Sequence, residues 1–170
     1  MNLKIRHQIP EYSDSKKTSE EDLIKILKDL DLINNLALTS KFIISKINKI
    51  IKKKNLNYFS LLDIGGGSGN IAVSIAKWAR KKGLKSKITI VDIDPIAIKL
   101  AKHNTKKFPE INLIKKNILK YPFKENFDFI ISVFTFHHFK NRENEILIKK
   151  IFKKTNHMIL LEDIKRDMFS

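Results

Sequence analysis

The chain predicts an α/β protein built on a doubly wound parallel sheet with strand order 3-2-1-4-5. Two observations carry this expectation. Five short runs rich in β-branched residues alternate with segments of helical period, the pattern of successive β–α–β units. The first run also passes directly into a glycine-dense turn, Gly65-Gly66-Gly67-Ser68-Gly69, followed by a helical segment.

Each element has its own warrant. Residues up to about Lys17 have no clear period and read as an extended arm. Thr18 with Glu21 forms a capping-box signature, after which Leu23, Ile26, Leu27, Leu30 and Ile33 share one helical face. A second helix spans about Ser40 to Lys53, with Phe42, Ile43, Ile47, Ile50 and Ile51 apolar. Residues 1–57 thus form an arm and helical extension, and 58–170 the sheet-containing unit of one compact molecule. The strands are Tyr58 to Ile64, the run Ile88 to Asp92, Asn112 to Lys115, the run beginning at Phe127, and His157 to Glu162. Helices fill the intervals: Ile71 to Lys82, a segment from Pro95 to about Lys107, and Asn141 to Lys154. Asp94 reads as a helix N-cap with Pro95 at the first helical position.

Composition excludes several classes. At 170 residues, 42% of them hydrophobic, the chain suits one domain with a sizeable core. Without cysteine there is no disulfide, thiolate metal site or thiol nucleophile, and no metal site is expected. Lys4, Arg6 and His7 precede a polar stretch, not an apolar leader. The longest uncharged runs, Ile64 to Ala76 and Phe129 to Phe139, are too short to span a bilayer. A soluble, cytoplasmic protein is the expectation. The net charge of +16 is spread over residues 1–57 and 58–170 alike, and only Arg6, Arg80, Arg142 and Arg166 are arginine. Base readers rely on arginine's bidentate fork, so the lysines read as a solvated face and no sequence-specific nucleic-acid binding is expected.

The glycine turn narrows the ligand. Glycine leaves room for close approach and tolerates positive φ, while the following helix start offers backbone N–H groups. A dinucleotide fingerprint wants a third glycine where Asn70 stands, and a P-loop wants a lysine after the glycines. What remains is D-x-G-x-G-x-G, as Asp63, Gly65, Gly67 and Gly69. This resembles motif I of the class I S-adenosylmethionine (SAM) methyltransferases, which are Rossmann-like. The resemblance implies SAM as cofactor, with Asp63 and the three glycines holding its methionine and sugar end. Asp92, at the tip of the second strand, matches the acid that binds ribose hydroxyls, with Asp94 the alternative. Asn117 and Ile118 fall where the family meets adenine. Asn117 departs from the usual acid, and it also reads as an ordinary turn asparagine.

The stretch from Phe127-Asp128 to His137-His138 resembles the F-D…H-H segment of small-molecule methyltransferases of the ubiquinone and menaquinone type. It implies a small-molecule methyl acceptor, with His137 or His138 taking a proton or lining the pocket, and Glu162-Asp163 as fallback. Ile9 to Asp14 and Leu32 to Asn35 resemble the lead-in of a bacterial methyltransferase group. Two alternatives stand. An RNA or DNA methyltransferase would suit the charge, but the fourth strand lacks a proline-pair motif for exocyclic amines. A remnant that binds SAM or a partner is the other, because the family's sixth and seventh strands are not recognisable before Ser170. On that expectation Met158 to Leu161 form an unpaired edge open to self-association.

Overall fold

The computed structural model describes residues 19–36 and 38–163. The arm with Ile9 to Asp14, Thr18 of the expected capping box and residues 164–170 lie outside it, as do the side chains of Leu30 and residues 33–36. The elements, in order, are α1 (Glu20–Leu36), α2 (Thr39–Lys54), β1 (Tyr58–Ile64), α3 (Asn70–Lys81), β2 (Lys85–Asp92), α4 (Pro95–Thr105), β3 (Ile111–Lys115), β4 (Phe127–Val133), α5 (Asn141–Lys153) and β5 (Thr155–Glu162). Two 3-10 turns, Ile118–Lys120 and Phe136–His138, follow β3 and β4. The five strands are parallel in order β3-β2-β1-β4-β5, as expected. β2 begins three residues earlier than its apolar run, because Lys85, Ser86 and Lys87 pair with Tyr58, Phe59 and Ser60.

Local chemistry explains the helix starts. Ser19 caps α1, accepting from the Asp22 N–H at 3.1 Å and donating to its carboxylate at 2.8 Å. Asp94 caps α4, accepting from the N–H groups of Ile96 (2.6 Å) and Ala97 (3.3 Å), with Pro95 next in line.

Two apolar layers sandwich the sheet. On one face, Ile43, Ile47 and Ile51 of α2 and Ala72, Ile75, Ala76 and Ala79 of α3 pack on Phe59, Leu61, Ile88, Ile90 and Phe129. The i, i+4 spacing of the α2 isoleucines puts them on one stripe, so this helix belongs to the core layer. On the other face, Leu147 and Ile151 of α5 join Tyr121, Phe123, Phe127 and Ile130. β5 has a strand on one side only among the described residues; Met158, Ile159 and Leu160 are half-buried and Leu161 is exposed. The topology sends every strand C-terminus to one end of the sheet and the C-termini of α2, α3 and α5 to the opposite end, while the last turn of α4 lies beside Ser68 and Gly69.

Candidate cofactor and acceptor site

At the strand C-terminal end, β1 delivers Asp63 and Ile64 into the glycine turn. Gly65, Gly67 and Gly69 all have positive φ (67°, 54° and 78°), a region L side chains rarely enter. Gly65 has a second reason to be glycine: an added Cβ would collide with Thr135 Oγ1 and lie 2.6 Å from its Cγ2. That hydroxyl, at 3.2 Å from the Ile64 carbonyl, ties the end of β4 to the turn, and Ser132 Oγ donates to the same carbonyl at 2.9 Å. Gly66, not singled out by the motif, is also constrained: a Cβ there would meet Ile90 Cγ2 at 2.8 Å and Asp63 Oδ2 at 2.9 Å. Asn104 of α4 donates to the Ser68 carbonyl at 3.0 Å, bracing the loop from the side. At Gly67 the space is open apart from Leu27 of α1, which would lie 3.5 Å from an added Cβ, so α1 overlies the turn.

Two carboxylates meet here. Asp63 is 2% exposed, and its Oδ2 has no hydrogen-bond partner among the described residues. Burial, then the neighbouring Asp92 charge, pushes its carboxyl up to about 7. Asp92 Oδ2 accepts from the Gly67 N–H at 3.0 Å and Oδ1 from the Asp94 N–H at 2.9 Å. Its carboxyl is also raised, chiefly by burial, with those amide bonds pulling the other way. Asp94, the alternative ribose ligand, has its Oδ1 engaged in capping α4. Asn117 accepts from the Leu119 N–H at 2.9 Å, the turn role, and each carbonyl oxygen has a second lone pair for a ligand. Ile118 beside it is buried.

The opposite wall carries the histidines. β4 is followed by Phe134 at φ 52°, a strained left-handed residue whose N–H bonds to the Glu162 carbonyl at 2.9 Å. The chain then turns through Phe136–His138, braced by Asn144 Nδ2 donating to the Phe136 carbonyl at 3.2 Å. His137 is gripped twice by Asp163: its backbone N–H reaches Oδ2 at 2.8 Å, and its Nδ1 lies 2.5 Å from Oδ1. The His138 ring packs against it at a 42° tilt with centroids 4.1 Å apart and is the more exposed of the two. Glu162, the other fallback acid, accepts from Thr39 Oγ1 at 3.3 Å. Asp63, the glycines and Asp92 therefore form one cluster, Asn117 and Ile118 follow the neighbouring strand tip, and His137 and His138 lie beyond β4. Thr135, Asn104 and Gly66 escaped the sequence reading, because they act through contacts distant in sequence. Among the described residues no cluster of three or more metal-ligating side chains occurs.

The family described as methyltransferase domain matches residues 61–157, more than half of the chain. The chain belongs to that family. Its fold is the class I methyltransferase fold: it superposes with a TM-score of 0.68 on the plantazolicin methyltransferase, whose structure holds a triazolic desmethylPZN analog and S-adenosylhomocysteine. That match is 21% identical and covers 86% of this chain and 54% of the other. Ribosomal protein L11 methyltransferase of Caldicellulosiruptor bescii is 27% identical over 124 residues, 73% of this chain and 38% of the relative. Ubiquinone/menaquinone biosynthesis C-methyltransferase of Rickettsia prowazekii is 30% identical over 114 residues, 65% of this chain and 46% of the relative. The chain thus spans less than half the length of either curated relative. No described helix is long and apolar enough to cross a membrane.

Proposed function

We propose that this methyltransferase-family chain binds SAM at the glycine turn and transfers its methyl group to a small-molecule acceptor. The observation that carries the reading is the convergence of Asp63, Gly65, Gly67 and Asp92 on one open turn. A fully buried carboxylate oxygen without a partner and a turn with no side chain at Gly67 fit a polar ligand pressed against backbone. When bound, SAM supplies an electrophilic methyl group on a sulfonium sulfur. Asp92 would hold the ribose hydroxyls with the lone pairs its amide partners leave, Asn117 and Ile118 the adenine edge, and Asp63 with the glycines the remainder. α1, through Leu27, excludes water from above the turn.

On the acceptor side, the Asp163 carboxylate favours the His137 tautomer with its proton on Nδ1, which makes Nε2 the basic nitrogen. His137 would take the acceptor's proton there, while His138 lines the pocket. A small acceptor of the ubiquinone or menaquinone kind suits the aromatic wall of Phe136 and Phe139, whose rings pack edge to face at 5.9 Å.

Calorimetry with S-adenosylhomocysteine tests the cofactor reading. Asp92→Ala should weaken binding by about 2–4 kcal/mol, the cost of removing a doubly bonded carboxylate. Undiminished binding by that variant would refute the ribose assignment, and preferential binding of NAD would refute the SAM reading.

A further inference from the structure

We propose that the end of the sheet opposite the cleft binds the phosphate backbone of a nucleic acid, without reading its sequence, through a row of lysines. Lysines from separate segments converge there because α2 and α3 pack side by side on one face of the sheet and both end at that edge, where the Lys85 N–H at the start of β2 bonds to the Asn57 carbonyl at 3.0 Å. The last turns and C-cap of these helices carry Lys53, Lys54, Lys81 and Lys82, and β2 opens with Lys85, all five exposed. With packed helices about 8–10 Å apart and adjacent strands about 5 Å apart, the row is roughly 10–15 Å long. One strand of a duplex presents a phosphate about every 3.4 Å of axis, so the row faces about three or four phosphates.

The acids at this end offer these lysines no compensation. Glu110 is held by both nitrogens of the Arg80 fork at 2.7 Å, Glu125 by Lys87 at 2.8 Å, and Asp128 by the Ser60 amide and hydroxyl and by Asn156. None of these five lysines has an ion-pair partner among the described residues. A lysine in a helix's last turn complements the helix dipole, but two adjacent ones per helix exceed that need. The one arginine in the row, Arg80, is committed to Glu110, to the Lys107 carbonyl at 2.9 Å and to the face of Phe108. The remaining donors are point charges, suited to phosphates and unsuited to base edges.

A nucleic acid fits better than a bilayer surface. A membrane-binding face interleaves apolar anchors among its lysines. Here the exposed neighbours are Asn55, Asn57 and Gly83, Leu56 and Leu84 pack against the core, and Tyr58, exposed at the start of β1, offers one ring on which an unpaired base can stack. The strands are about 25 Å long, so a nucleic acid held here lies far from the cleft and acts as a tether, not as the methyl acceptor.

Fluorescence anisotropy with a mixed-sequence RNA duplex of about 20 base pairs tests the proposal on the full chain. Binding should fall with salt between about 50 and 200 mM with a log–log slope of about −3 to −4. The variant Lys53→Glu, Lys54→Glu, Lys81→Glu, Lys82→Glu should bind about a hundredfold more weakly, and the four-fold lysine-to-glutamine version should flatten the slope by about 3. A charge-matched control reversing Lys28, Lys41, Lys115 and Lys120 should lose far less. No binding by the parent at low salt, an equal loss in the control, sequence-dependent affinity, or binding to phosphatidylserine vesicles in preference to duplex would each overturn the proposal.

Discussion

Replacing Asp63 by asparagine isolates the effect of a carboxyl buried against a second acid. In the folded chain Asp63 holds its proton up to about pH 7, whereas the unfolded chain releases it near 3.8. Between those values the native state binds more protons than the unfolded state, so stability falls as pH rises through this window. The slope for one group is about 1.4 kcal/mol per pH unit, or about 4 kcal/mol across the window. The asparagine side chain keeps the shape and does not titrate. Asp92 is coupled to Asp63, so the difference reports the pair, while acids elsewhere are common to both proteins and cancel. Urea unfolding of parent and variant at several pH values between about 4 and 8 reads that difference directly. The parent should lose stability relative to Asp63→Asn by about 4 kcal/mol over that span, with little further change above pH 8. Parallel curves would mean that Asp63 is ionised throughout, refuting the claim that its burial beside Asp92 sets its charge.

Other substitutions probe the loop and the histidine wall. Gly65→Ala should cost about 2–4 kcal/mol in urea unfolding, from a left-handed backbone at φ 67° and collision with Thr135 Oγ1. Alanine at 135 would still leave a Cβ at 2.9 Å, but in a Thr135→Gly background the clash disappears, so the added cost of Gly65→Ala should fall to about half; equal costs in both backgrounds would deny that Thr135 is the obstacle. Asp163→Asn should shift the neutral His137 ring away from the Nδ1–H tautomer, read from imidazole ¹⁵N shifts, while S-adenosylhomocysteine affinity stays unchanged. An unaltered tautomer would remove Asp163 as a positioning residue. A loss of cofactor affinity would instead place it in the cofactor site.

The order of the strands was legible because a parallel sheet buries both faces: the runs around Leu61, Ile90 and Ile130 are mostly apolar, broken by single polar residues such as Ser60, Thr89 and Asp128, and helical segments separate them. Asp94 as a cap was equally local, since Asp-Pro at a helix start carries its own geometry. Thr18 was favoured for α1 by the capping-box spacing, yet Ser19 makes the cap, one residue along, where it meets the Asp22 amide.

The sequence by itself determined the α/β architecture, the position of the glycine turn and the acids at the strand tips, because these depend on residue type, period and short spacings. Tertiary structure alone decided which groups cooperate. Asp163 grips His137 across 26 residues, Thr135 forces glycine at position 65 from the far end of β4, and lysines from two helices and a strand form one row. These pairings follow from parallel crossovers that return each strand to the same end of the sheet. That long-range geometry leaves no periodic signal in the chain, since each partner is set by where the backbone closes and not by its neighbours in sequence.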